Sequence, residues 1–241
     1  MIAMRHSVAG PAAGLPYIMP DGSSWWDTGF VAGAGCEYRV DAMWLAFPRQ
    51  SERPVLGGSI YTNGYANPVT FNYDARKRDC LTSQWGTQEC FCYDVGDFLN
   101  VRSAIVARHK MSGSTVSIGF EGGTATSRNV SGDLSSNDTL YLCGSHYKGA
   151  GWYPMPMDTV HLYGVKMYRN GTLEVSLVPA KKNGRPCFYD EVGRVYRYSL
   201  GSTDGVYGME KTAILNGGGH KCTNYTQLCL PRFSRFWKEA A

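Results

Sequence analysis

The chain has 241 residues, a length that suits one large β-domain or a domain with an appendage. Glycine accounts for 29 residues and aromatic side chains for 13%, while charged residues reach only 18% against a usual ~25%, so turns and rings outweigh helix-favouring charge. The 43% hydrophobic content excludes disorder, the lack of a sustained heptad excludes a coiled coil, the lack of an apolar run near ~18 residues excludes a membrane-spanning helix, and a net charge of +4 excludes a nucleic-acid binder.

The N-terminus, Met1 to His6, has no charged head, apolar stretch or small-residue cleavage site. The expectation is a chain made in the cytoplasm or a mature fragment that acts on a virion or a cell surface. Trp25 and Trp26 open the β-rich region, and one of the two must face the core if this segment is a strand. Cys36 to Phe47 is the clearest strand. Cys36, Tyr38, Val40, Ala42 and Trp44 share one face, and Glu37, Arg39 and Asp41 share the other, which is the period of a sheet with one buried side. A single helical turn is predicted near 94–99. Shorter strands are predicted at 101–107, 115–120 and 139–142. Residues 160–168 form a long strand that is apolar on both faces. It ends at Asn170-Gly171, the strongest short hairpin signal, and Asn183-Gly184 repeats that signal before a last strand near 195–198. The C-terminal stretch 233–241 reads as a short helix.

These elements predict an all-β fold: a two-sheet antiparallel jelly-roll sandwich with a less regular C-terminal tail. The expected division is residues 1–14 as an N-terminal arm, 15–202 as the sandwich and 203–241 as an extension, with Gly217-Gly218-Gly219 as a joint.

Eight cysteines, at 36, 80, 90, 92, 143, 187, 222 and 229, are too few for a disulfide scaffold. Mostly free, buried thiols are expected. One or two bridges remain open, Cys222–Cys229 being the best-placed pair, and so does a metal. No Cys-x2-Cys knuckle exists, His220-x-Cys222 with Cys229 fits no standard spacing, and Cys90-x-Cys92 is expected to divide its thiols between the two faces of a strand. No cofactor is expected. The one loop acidic enough for calcium, Asp133 to Asp138, reads as an ordinary polar turn.

Two stretches, taken together, carry a resemblance. Leu15 to Phe30, with Asp27-Thr28-Gly29, resembles the opening of concanavalin A-like, laminin-G-type domains of gut-bacterial surface proteins and phage proteins. Val160 to Tyr198 is similar to the closing hairpins of that family at Tyr168, Asn170, Gly171, Leu173, Val178, Pro179, Gly184, Tyr189, Asp190 and Tyr196. The resemblance implies a jelly roll of the concanavalin A type. Physically, Asp27 is expected to close an Asx turn, Pro179 to end a strand and Asp190 to cap the following turn.

Catalysis finds little support. Laminarinase-type hydrolases on the same sandwich need Glu-x-Asp-x-x-Glu, and no glutamate here has an aspartate two residues on. Glu37, Arg39 and Asp41 read as a solvated charged face. The five histidines are scattered, with no Gly-x-Ser-x-Gly elbow, and His161 reads as a hydrogen-bonded core or inter-sheet residue. The expected function is therefore non-catalytic recognition of a glycan or surface partner, on a phage particle or bacterial surface. Sugar C–H faces would stack on Trp152 and Tyr153, in a Gly/Pro-bounded loop, and on Trp85, in a polar loop. The alternative is an assembly subunit of a virion, with Phe233, Phe236 and Trp237 anchoring the tail in a partner's groove; the same tail could close the protein's own core. Neither nucleic acid nor membrane is an expected partner.

Overall fold

Alternation of apolar and polar side chains builds the central strand, and the rest of the molecule is arranged about it. The computed structural model describes residues 13–20, 23–45, 53–61, 64–73, 79–86, 88–93, 95–98, 101–109, 115–130, 139–147, 151–154, 160–201 and 207–208. In chain order the strands begin β1 (Ala13–Gly14), β2 (Ile18–Met19), β3 (Trp26–Val31), β4 (Cys36–Trp44), β5 (Arg53–Gly57), β6 (Ser59–Tyr61) and β7 (Gly64–Tyr73). They continue with β8 (Asp79–Gly86), β9 (Gln88–Tyr93), β10 (Arg102–His109), β11 (Thr115–Phe120), β12 (Thr126–Asn129), β13 (Thr139–Leu142) and β14 (Gly144–Tyr147). The last are β15 (Gly151–Pro154), β16 (Val160–Arg169), β17 (Thr172–Lys182), β18 (Arg185–Asp190), β19 (Val195–Arg197) and β20 (Tyr207–Gly208). The predicted turn near 94–99 is a 3-10 turn, Val95–Phe98.

The strands form the two packed sheets of a jelly-roll sandwich, as the sequence predicts. The larger sheet runs β12-β11-β10-β4-β16-β17-β18-β19, with β1 on β17, β2 on β16 and β20 on β2. The smaller runs β15-β14-β6-β7-β5-β13-β3, with β8 on β7 and β9 on β8. Pairing is antiparallel except between β6 and β14. The sheets therefore reach residues 13–14 and 207–208, beyond the expected sandwich limits at both ends.

On β4, Cys36, Tyr38, Val40, Ala42 and Trp44 are buried and the residues between them half-exposed. This inward row packs with Trp26, Phe30, Leu56, Leu81 and Leu140 of the smaller sheet. Each large side chain so buried contributes about 1.5–3 kcal/mol of transfer free energy. Trp26, not Trp25, is the tryptophan that enters the core, edge-on to Phe188 at 5.3 Å. Both Asn-Gly pairs make the expected tight hairpins: Asn170 and Gly171 have φ of 50° and 81°, Asn183 and Gly184 of 52° and 78°, the paired positive values of a type I′ turn.

Pro179 does not end its strand. β17 continues to Lys182, with Pro179 opposite Phe188 and its carbonyl accepting from the Leu15 amide at 3.1 Å. The missing donor falls on the edge where β17 has parted from β16, a place a proline can occupy. β1 and β2 fill the gap between these two strands, β2 beside Leu162 and β1 beside Ala180 and Lys181.

The six described cysteines, Cys36, Cys80, Cys90, Cys92, Cys143 and Cys187, are free and buried. Cys90 and Cys92 both face inward on β9, because residues two apart on a strand share a face; the expected division between faces is corrected. Cys222 and Cys229, the 133–138 loop and the tail residues Phe233, Phe236 and Trp237 lie outside the described residues.

The two ends of the sandwich sequence meet at one polar junction. Asp27 Oδ1 accepts from the Gly29 amide at 2.8 Å, closing the expected Asx turn. Asp190, 1% exposed, caps its turn through Oδ1, which accepts from the amides of Val192 and Gly193 at 3.2 Å each and of Ser176 at 3.3 Å. Its Oδ2 accepts from Arg197 Nη2 at 3.1 Å, and Arg197 Nη1 donates to the Asp27 carbonyl at 3.3 Å. Removing one partner of a buried ion pair strands the other, at about 3–5 kcal/mol. Asp190→Ala is accordingly expected to lower the unfolding free energy by about 3 kcal/mol in urea titrations. Glu174→Ala, which breaks an exposed pair with Arg169, should cost under about 1 kcal/mol by the same measurement.

Candidate functional site

Because β4 lies between β10 and β16, its outward residues are flanked on both sides, and the registers decide by what. Glu37 sits between Arg108 and Tyr168, Arg39 between Val106 and Lys166, Asp41 between Ala104 and Gly164, and Met43 between Arg102 and His161. The outer face of the larger sheet thus gathers charges and rings at its two ends, around Glu37 and around Met43, with mostly small or apolar neighbours between them.

At one end Glu37 is clamped. Its Oε1 accepts from Arg39 Nε at 2.7 Å and its Oε2 from Arg108 Nε at 2.7 Å. Arg39 Nη1 also donates to Glu121 Oε1 at 2.8 Å, and its guanidinium lies 5.7 Å from the centre of the Tyr168 ring. Burial pushes the Glu37 carboxyl up, but the hydrogen bonds and charges of Arg39 and Arg108 outweigh it and hold the group below its ordinary 4.5. The group is ionised at neutral pH, with its orientation fixed from both sides.

These side chains border an open depression of about 360 Å³, lined by Gly35, Cys36, Glu37, Arg39, Arg108, Tyr168 and Gly171. The two glycines turn the chain with φ of 77° and 81° and leave the rim without side chains. The Asn170 amide ties these turns together by donating to the Gly35 carbonyl at 2.9 Å. Burial raises the Cys36 thiol, despite Tyr38 and the nearby Arg169, so it is protonated at neutral pH.

At the other end of the face, Asp41 is bound bidentately by Arg102, whose guanidinium lies 4.1 Å from the Tyr163 ring centre. His161 is 4% exposed and stacks on Tyr17, ring centres 3.9 Å apart and 11° from parallel. It is buried, but on the outer row opposite Met43 rather than between the sheets, and its Nδ1 has no hydrogen-bond partner. Burial pushes its pKa down to about 4.

The tryptophans chosen from sequence lie elsewhere. Trp85 is on β8, not in a polar loop, and at 3% exposure it is part of the inter-sheet core, so it offers no face for stacking. The polar neighbours Gln84 and Gly86 made this strand look like a loop. Trp152 and Tyr153 lie on β15, an edge of the smaller sheet, with Trp152 opposite His146. The structure does not bring them to the depression. Glu37, Arg39 and Asp41 carried a sequence signal, since they alternate outward on the best strand. Arg108 and Tyr168 join them only through register. Among the described residues, no cluster of three or more His, Cys, Asp or Glu side chains could hold a metal ion.

No protein-family model matches the sequence, and no curated protein matches it. Among solved structures, the chain is similar to a candidate carbohydrate-binding protein from Bacteroides ovatus, with TM-score 0.55 and 11% identity over 81% of this chain; it spans 60% of that protein's length. That likeness concerns the fold. Weaker likenesses are to Xenopus laevis galectin-Ib (TM-score 0.35, 11% identity, 65% of this chain and 100% of that one) and to the extracellular region of zebrafish Gpr126/Adgrg6 (TM-score 0.44, 10% identity, 78% and 26%).

The buried imidazole yields a pH prediction. Unfolded, His161 takes up its proton near pH 6.5; folded, only near 4. The unfolded state therefore binds more protons between these values, and stability falls as the pH drops from 6.5 to 4. His161→Phe keeps a ring against Tyr17 and removes the titrating group. Its urea unfolding free energy is expected to lose this dependence, by up to about 3 kcal/mol across the window. Resonances of the wild-type imidazole should titrate near pH 4 by NMR.

Proposed function

We propose that this protein is a non-catalytic recognition module that binds a glycan over the Glu37 depression, acting on a phage particle or a bacterial surface. The observation that carries the reading is the Arg39–Glu37–Arg108 clamp beside Tyr168. A sugar presents hydroxyls that both donate and accept, together with an apolar ring face. A fixed carboxylate accepts from one hydroxyl, a guanidinium on either side donates to its neighbours, and a tyrosine offers a π-face. Holding these groups in place before binding reduces the ordering cost of association. Glu37 and Glu121 offset Arg39 and Arg108, so the site suits a neutral sugar better than an anionic one.

The same clamp argues against acid catalysis. A carboxyl held below its ordinary value has no proton to give near neutrality, and guanidinium groups do not exchange theirs. The Bacteroides ovatus protein of similar fold, a candidate carbohydrate-binding protein, supports a glycan ligand. The phage or bacterial-surface setting rests on the sequence resemblance of residues 15–30 and 160–198.

A broad glycan array tests the proposal. Wild type is expected to bind a defined set of neutral glycans, and Tyr168→Ala and Arg108→Ala to weaken that binding about tenfold or more, as loss of a stacking face or a charged hydrogen bond implies. Trp152→Ala is the comparison. Binding lost only in that variant moves the site to β15, and silence across the array overturns glycan recognition in favour of an assembly role.

A further inference from the structure

We infer that the recognition face continues from the Glu37 depression to a second subsite at Asp41, Arg102 and Tyr163, so that the ligand is a linear oligosaccharide laid along β16 and not a single sugar. The inference rests on the glycan reading above and extends it.

The second position repeats the chemistry of the first. In each, a carboxylate on β4 orients a guanidinium, and that guanidinium lies against a tyrosine of β16: Glu37, Arg39 and Tyr168 at one end, Asp41, Arg102 and Tyr163 at the other. The source of the arginine differs, β4 in one case and β10 in the other, so the likeness is not a by-product of one strand's sequence period. Arg102 Nε donates to Asp41 Oδ1 at 3.0 Å while its Nη2 donates to Oδ2, the fork geometry that fixes a guanidinium plane. The pair is open to solvent, with side-chain exposures of 58% for Arg102 and 33% for Asp41.

Spacing sets the ligand's length. Glu37 and Asp41 are four residues apart on one strand, about 13 Å at the usual rise, which exceeds a single pyranose ring. Between them Arg39 faces an exposed Lys166 across the β4–β16 register, which keeps hydrogen-bond donors along the path. Rings at the ends with polar groups between them suit a chain of sugars whose hydroxyls point at the sheet.

The test uses an array of glucan, mannan, galactan and xylan series, each graded from one to six units. Within any series bound, wild-type affinity is expected to climb from the disaccharide to the tetrasaccharide. Tyr163→Ala and Arg102→Ala should weaken binding of the four- to six-unit members about tenfold and leave the one- and two-unit members unchanged, whereas Tyr168→Ala weakens all of them. Arg102→Lys, which keeps the charge and loses the fork, should behave like Arg102→Ala. Melting curves confirm that each variant is folded. Equal binding of short and long members, or long-chain binding unaffected by the Tyr163 and Arg102 variants, overturns the second subsite and leaves the first standing. Silence of every series overturns the glycan reading and this inference with it.

Discussion

The sandwich depends on a buried charge that has been given enough partners. Asp190 is almost wholly removed from water, which would be costly for an unpaired carboxylate. Three backbone amides and one guanidinium meet it, and through Arg197 the arrangement reaches the Asp27 carbonyl on the opposite sheet. Gly29 completes it by having no side chain: a Cβ there would stand 2.6 Å from Arg197 Nη2, and its φ of 68° disfavours any other residue. One junction therefore fixes the β17–β18 hairpin, the turn into β19 and the start of β3. A second arginine works alongside it. Arg169 Nη2 donates to the Val31 carbonyl at 2.8 Å, and its guanidinium lies 4.9 Å from the Phe30 ring centre, setting the β16–β17 turn at the rim of the depression.

The junction also explains why two distant stretches of sequence jointly identify the fold. Asp27-Thr28-Gly29 and Asp190 to Arg197 are far apart in the chain but touch in space, so each is needed to satisfy the other. β4 and the Asn-Gly hairpins could be read because their information is local: alternation for the strand, positive φ for the turns. Strands β7 and β8 could not, because they bury polar side chains on both of their faces. Asn67, Thr70, Thr82, Ser83 and Gln84 are all at most 4% exposed. Several of them bond to one another, with Asn67 Nδ2 donating to Gln84 Oε1 at 3.3 Å and Thr82 Oγ1 to the Thr70 carbonyl at 3.3 Å. A buried polar ladder erases the hydrophobic alternation from which a strand is recognised. Pro179 misled for the opposite reason, since a proline reads as a stop unless one knows that its neighbour strand has already departed.

The candidate site was half visible. Glu37, Arg39 and Asp41 stood out as an alternating outward row, yet charge on an outer face is the common state of a strand and carries no meaning until its neighbours are known. Register supplied Arg108 and Tyr168 on one side and Arg102 and His161 on the other. A polar stretch drew attention to Trp85 and a Gly/Pro-bounded one to Trp152, but a tryptophan's size fills a core as readily as it stacks on a sugar, and for Trp85 the core prevailed.

The placement of β1 and β2 bears on how the molecule is made. Residues 13–14 find their partners at 180–181, and Ile18 finds its partner at Leu162. A nascent chain emerging from the ribosome can close the smaller sheet's local ladders, β7 on β8 and β8 on β9, as soon as they appear. The larger sheet must wait for nearly the whole described length to be synthesised, and until then β4, its inward row of rings and aliphatics uncovered on one edge, stays without β16. Pairings so far apart in sequence carry a loop-closure cost that slows folding and prolongs the exposure of strand edges. Any truncation that removes β16 and β17 therefore leaves β1 and β2 without the strands they pair with in the middle of the larger sheet.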